Sequence, residues 1–174
     1  MIIVIDVGNT NIVVGAFSES GLIRSWRMST DFQRSSDETG IFLSQLLAHS
    51  GLQIRDIQAV VVSSVVPQIM FSLERAIKRY LRHTPIIISK NVHTGLNILT
   101  DNPSEVGADR IVNAVAVHSL YPGDSIIIDF GTATTFCALR ANGDYLGGVI
   151  CPGIKIALDA LIEKTAKQIG RAHV

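Results

Sequence analysis

Two short segments of this 174-residue chain carry the residue types that handle phosphate. Asp6-Val7-Gly8-Asn9-Thr10 and Asp129-Phe130-Gly131-Thr132-Ala133-Thr134 each set a carboxylate at the end of an apolar run, then a glycine, then hydroxyl or amide side chains. Glycine permits a tight turn and the close approach of an anion, while Thr and Asn groups with backbone N–H supply donors to phosphate oxygens. A carboxylate beside such a turn repels phosphate directly. Its useful work is to hold a cation, or water on a cation, that bridges to the phosphates. One such segment alone also describes a routine hairpin. Two in equivalent places are far more specific, and are expected to set two phosphate loops across one cleft that clamps a nucleoside triphosphate. A third segment, Gly107-Ala108-Asp109-Arg110, puts an acid and a base in the first turn of a helix. Such pairs are commonly dipole-friendly surface, but here they are the only charged residues between Glu105 and Asp124. They are expected to face a pocket, with Asp109 accepting the proton of an attacking hydroxyl and Arg110 holding an anionic group.

The elements that must position these segments follow from apolar periodicity and turn residues. Met1 to Gly8 reads as a strand buried on both faces, followed by strands near 11–18 and 22–28 around a Glu-Ser-Gly turn. Ser35 with Glu38 forms a capping box for a helix that ends near Gly51. Residues 57–65 read as a strand, Pro67 opens a helix whose apolar positions recur to Leu81, and 85–89 reads as another strand. Asn102-Pro103 is the clearest break, and Ser104 is placed to cap a helix that runs to about Leu120. An apolar strand at 125–130 then repeats the opening order: apolar run, Asp, any residue, Gly, polar residue, strand, turn, strand. The pattern predicts an internal duplication of one α/β unit, with mixed sheets and helices packed on them.

Composition narrows the function. Fifteen Lys and Arg balance fifteen Asp and Glu, so the basic footprint of a nucleic-acid partner is missing. A hydrophobic fraction of 47% against 17% charged residues argues against a disordered chain. Apolar runs such as 2–5 and 126–128 fall far short of the roughly 20 residues that cross a bilayer. Asp6 interrupts the first run and no basic flank precedes it, so it does not read as a signal peptide. A cytoplasmic protein without a membrane or nucleic-acid partner is expected. Cys137 and Cys151 show no CxxC spacing and are expected to be small core residues.

With these segments in view, the chain resembles the type III pantothenate kinases of the acetate and sugar kinase, heat-shock protein 70 and actin superfamily. Asp6 to Asn11 matches the first phosphate motif of that family, Gly107 to Arg110 its pantothenate motif, and Ile128 to Ala133 its second phosphate motif. Gly147-Gly148 with Pro152-Gly153 resembles the glycine-rich segment that follows. The resemblance implies an α/β fold of duplicated actin-like (ribonuclease H-like) units with mixed sheets, the second unit incomplete. Its implied division is 1–121 as the N-terminal unit and 122–167 as the start of the second.

The resemblance further implies phosphorylation of pantothenate by ATP, with a noncatalytic ATP-binding accessory relative as the second reading. Such a relative would be expected to lose the Gly-Ala-Asp-Arg segment or its aspartate. Carried residue by residue, Asp6, Val7, Gly8, Asn9, Thr10, Asn11, Ile12, Val13 and Thr132 would contact ATP. Asp109 would be the general base, and Gly107, Ala108, Asp109 and Arg110 would hold pantothenate. Asp129 would bind a monovalent cation, potassium or ammonium, beside magnesium. Thr100 stands where the family commonly has a substrate-contacting tyrosine. A homodimer is implied as well. The last residues, 168–174, fit nothing before them, and Ile-Gly-Arg-Ala-His-Val reads like a translated sequencing adapter. They are expected to be a non-native tail on a truncated chain.

Overall fold

The computed structural model describes residues 1–89 and 92–164, so the tail at 168–174 lies outside the described residues. The chain divides into two compact units, Met1–His93 with Ser104–Val112, and Thr94–Pro103 with the chain from Asn113 onward. A division after residue 121 differs from this one. Residues 97–98 pair with the last strand of the second unit, which draws Thr94–Pro103 into that unit.

In the first unit β1 (Ile2–Val7), β2 (Asn11–Ser18) and β3 (Gly21–Ser29) form the expected antiparallel meander. β4 (Ala59–Ser64) lies parallel to β1 and β5 (Ile86–Ile87) parallel to β4, giving the order β3-β2-β1-β4-β5. Register aligns Ile3, Ile5 and Val7 with Ala16, Val14 and Ile12 on one side, and Ile3 and Ile5 with Val60 and Val62 on the other. This row forms one core with Leu43 and Leu47 of α1 (Ser36–His49) and Ile69 and Leu73 of α2 (Pro67–Ala76). Because both helices cover the same side, β1 alternates: Ile2 and Asp6 are exposed and Val4 half-buried, which corrects the reading of a strand buried on both faces.

The capping box is present, with Ser35 N and Oγ donating to Glu38 Oε2 at 2.8 and 2.7 Å, and Glu38 N donating to Ser35 Oγ at 3.2 Å. Pro67 opens α2 as expected, but the helix widens to a π turn over Ile77–Leu81 and closes at Arg82 with φ 59°. The widened turn keeps Ile77 and Leu81 buried while Arg79 Nη1 and Tyr80 Oη donate to Asp37 Oδ1 at 2.8 and 3.0 Å.

The second unit contains β6 (Asn97–Ile98), β7 (Ser125–Phe130), β8 (Ala133–Leu139) and β9 (Asp144–Pro152) in the order β6-β9-β8-β7. β7, β8 and β9 repeat the meander, and β6, which periodicity did not reveal, lies parallel to β9. α3 (Ala108–Leu120) and α4 (Ile154–Lys164) are the remaining α-helices of the described residues. α3 starts later than the cap expected at Ser104. Pro103–Glu105 form a short 3-10 turn, and Gly107 O accepts the first helical bonds from Arg110 N and Ile111 N. No helix of the described residues is long and apolar enough to cross a membrane.

The repeat can be followed residue by residue. Val7 pairs with Ile12 before the first loop and Phe130 with Thr134 around the second, so Ile3, Ile5 and Val7 correspond to Ile126, Ile128 and Phe130. The first row is 1%, 2% and 0% exposed, and its counterpart is 66%, 48% and 69% exposed. Among the described residues no strand stands beside β7 as β4 stands beside β1. The same uncovered face carries Cys151, whose counterpart Met28 is buried. Only Cys137, on the opposite face, is the core residue expected, where Tyr145 Oη donates to its Sγ at 3.2 Å.

Candidate functional site

The first loop joins β1 to β2. Gly8 N donates to Asn11 O at 3.0 Å, and Gly8 is tight: a Cβ there would lie 3.1 Å from that same oxygen. Thr30, directly after β3, donates its N–H to Thr10 O at 3.0 Å and its hydroxyl to Gly8 O at 2.6 Å. Asp6, Asn9 and Thr10 are exposed, and Gly8, Asn11 and Val13 are half-buried. Val7 and Ile12 point into the core, so they anchor the loop and offer a ligand only their backbone. Asp6 and Val13 share the face opposite that core, in register with Ser63 of β4. Ser63 is 6% exposed and its hydroxyl has no hydrogen-bond partner among the described residues.

In the same unit, the N-terminus of α3 shapes the Gly107–Arg110 segment. Asp109 Oδ1 accepts from Arg110 N at 2.8 Å, and the carboxylate folds back over Gly107, where a Cβ would collide with it. Glycine at 107 is therefore needed for this Asp109 conformation. Gly107, Ala108, Asp109 and Arg110 are all half-buried. The helix end adds its partial positive charge to the segment, which favours anions.

The second unit holds the other loop. Gly131 N donates to Ala133 O at 2.9 Å and Gly153 N to Thr132 O at 3.1 Å, the counterparts of the Gly8 to Asn11 and Thr30 to Thr10 bonds. The first loop inserts residues 8, 9, 10 and 11 between its paired strand residues and the second only 131, 132 and 133. Asn9 is thus the additional residue. Gly153 is buried, and a Cβ there would collide with the carbonyls of Gly131 and Thr132. Asp129 is exposed, and Asn113 Nδ2 donates to its Oδ2 at 3.2 Å. Among the described residues no group of three or more His, Cys, Asp and Glu gathers as a metal site. A lone carboxylate with hard oxygen chemistry suits a cation that keeps most of its shell from water and phosphate. Thr100 packs near Gly147, and its hydroxyl oxygen is buried without a hydrogen-bond partner among the described residues.

The expected residues thus fall into two groups. Asp6 to Val13 and Gly107 to Arg110 lie in the first unit, and Thr100, Asp129 and Thr132 in the second. Thr30, Ser63 and Asn113 escaped the motif reading because each reaches its loop through strand register or helix position. In the second unit, amide donation from Asn97 and then Asn142 holds the Asp144 carboxyl below its usual value, and the Asn97 bond ties β6 to β9.

Solved structures show the same architecture at low identity. The chain is similar to the activator of 2-hydroxyisocaproyl-CoA dehydratase from Clostridium difficile, solved with ADPNP bound (TM-score 0.54, 17% identity, 91% of this chain and 50% of that one). It is also similar to the type II variant of the Aquifex aeolicus Ppx/GppA phosphatase (0.52, 17%, 96% and 56%). A third is a Sinorhizobium meliloti protein assigned as a 2-dehydro-3-deoxygalactonokinase (0.52, 12%, 95% and 58%). The chain spans about half the length of these structures. They support the fold alone, an actin-like α/β architecture with two mixed sheets. The sequence match is more specific: the family model for type III pantothenate kinase covers residues 2–170, taking in both loops and the Gly107–Arg110 segment, and the chain belongs to that family.

Proposed function

We propose that this chain serves the ATP-dependent phosphorylation of pantothenate to 4'-phosphopantothenate, the first step of coenzyme A biosynthesis, in the cytoplasm and as a homodimer. The observation that carries the reading is the family match over residues 2–170, which includes every segment able to handle phosphate. The retained Asp109, its carboxylate held by Arg110 N–H and folded back over Gly107, speaks against a noncatalytic accessory protein. One fold neighbour was solved with ADPNP bound, which accords with nucleotide binding.

In this mechanism the two loops hold the ATP phosphates through backbone N–H groups and the hydroxyls of Thr10 and Thr132. Gly107, Ala108 and Arg110 hold pantothenate, and the buried Thr100 hydroxyl gains a partner from the substrate. An unpaired hydroxyl costs about 1–3 kcal/mol, so this pairing favours binding. The primary hydroxyl oxygen attacks the γ-phosphorus in line, the bond to the β,γ-bridging oxygen breaks, and ADP leaves. Asp109 Oδ2 receives the hydroxyl proton, its Oδ1 being held by Arg110 N. Asp129, steadied by Asn113, and Asp6 would hold a monovalent cation and water on magnesium, which neutralise charge on the phosphates.

The deciding experiment measures ADP release from ATP with and without pantothenate, each with and without potassium. Release that depends on pantothenate and rises with potassium supports the reading. Release indifferent to pantothenate replaces it with the accessory role.

A further inference from the structure

Thr30 lies outside every phosphate or substrate motif, yet it grips the first loop on both sides of Asn9, through its N–H to Thr10 O at 3.0 Å and its hydroxyl to Gly8 O at 2.6 Å. We infer that Thr30 is a positioning residue for nucleotide phosphate, acting by fixing the peptide plane between Gly8 and Asn9; the inference rests on the ATP reading above. That peptide is trans, so its carbonyl and N–H point in opposite directions. Tying the Gly8 carbonyl to Thr30 turns the Asn9 N–H to the other side of the loop. A carbonyl presented to phosphate repels it, and an N–H attracts it. Glycine at position 8 leaves this plane free to flip unless something holds it.

The second loop supplies an internal control. It lacks a counterpart of Asn9, and the residue in Thr30's place is Gly153, which makes the backbone bond to Thr132 O but has no side chain and no room for one. The additional residue and the additional hydroxyl occur together, in the same loop.

The test compares Thr30→Val, Thr30→Ser and the unaltered 174-residue chain by calorimetric titration with Mg·ATP and with adenosine, alongside thermal melting. Thr30→Val should weaken Mg·ATP binding about tenfold, about the worth of one hydrogen bond. It should leave adenosine affinity unchanged, and Thr30→Ser should stay within about threefold of the unaltered chain. Equal Mg·ATP affinity in Thr30→Val and the unaltered chain overturns the role of Thr30 and leaves the ATP reading standing. Equal loss for ATP and adenosine also overturns it, by marking a general structural defect. If the unaltered chain binds no Mg·ATP, the ATP reading falls and this inference with it. Should Thr30→Val fail to fold, the unaltered protein still decides. The Asn9 amide resonance should move downfield on adding Mg·ADP, and an unmoved Asn9 amide beside a shifted Thr10 refutes the assignment.

Discussion

Asn113 donates its side-chain amide to Asp129 at 3.2 Å, joining the middle of α3 to the end of β7 inside the second unit. The bond leaves Asp129 one preferred carboxylate orientation at an otherwise exposed strand end. Under the proposed phosphotransfer, Asn113→Ala should raise the potassium concentration for half-maximal ADP release about tenfold, the worth of one charge-assisted hydrogen bond. The melting temperature should change little. A potassium titration checks it, and an unchanged midpoint removes Asn113 from the cation site.

Asp109 makes a prediction of a different kind. Asp109→Asn preserves the shape of the α3 N-terminus and removes the proton acceptor. Pantothenate-dependent turnover should fall by about 10²–10⁴ while Mg·ATP affinity holds. Steady-state rates paired with calorimetric titration measure both quantities, and turnover retained in Asp109→Asn excludes it as the base.

The two copies of the repeat allow a matched pair of substitutions. Ile5→Thr places a hydroxyl in a core position that is 2% exposed and should cost about 2–3 kcal/mol. Ile128→Thr, at the corresponding position with 48% exposure, should lie within about 0.5 kcal/mol of the unaltered chain. Urea titrations of both variants check the contrast, and equal costs would mean that the Ile128 face is covered in solution.

Gly153→Ala should be far more damaging than its size suggests. The added methyl group meets the carbonyls of Gly131 and Thr132, which are backbone and have no rotamer to yield. A loss of about 2 kcal/mol or more is expected, measured by chemical denaturation. Gly95→Ala serves as the comparison, since an added Cβ there would meet nothing within 4 Å and only its φ of 78° opposes the change.

Acid should loosen two joints. The Ser35 hydroxyl and N–H hold the Glu38 carboxyl below its ordinary value, and donation from Asn97 and then Asn142 does the same for Asp144. A carboxyl depressed in the folded state contributes stability above its unfolded value, and that contribution fades as pH falls through the folded value. The α1 N-terminus and the β6–β9 pairing should therefore be intact above about pH 5 and weaken below pH 4. Both groups sit at the surface, so the losses should be small and reduced by salt. Carbon-detected carboxyl titrations of Glu38 and Asp144 would show midpoints below ordinary values, and ordinary midpoints would refute the coupling.

What the sequence made legible and what it hid separate along physical lines. Asp-x-Gly after an apolar run, Ser35 with Glu38 and Pro67 are local signals, and the strands, capping box and helix start they imply are present. β6 has two residues and exists only because Asp144 and Tyr145 stand beside it, so no local pattern announces it. Thr30 and Ser63 reach the site through strand pairing and loop contacts distant in sequence, and Asn113 through a side-chain bond across 16 residues, none of which periodicity encodes. The apolar runs at 2–7 and 125–130 look alike as sequence. Their opposite exposure depends on whether helices and a neighbouring strand cover them, which is a tertiary fact.

Among the described residues β7 is the edge of its sheet, which has a consequence for its own backbone. β1 is bonded on both sides, so every amide along Ile2–Val7 has a strand to face. Along Ser125–Phe130 only every second amide turns toward β8, and the others point outward from the sheet. Hydrogen–deuterium exchange along β7 should alternate between slow and fast from one residue to the next, while β1 exchanges slowly throughout.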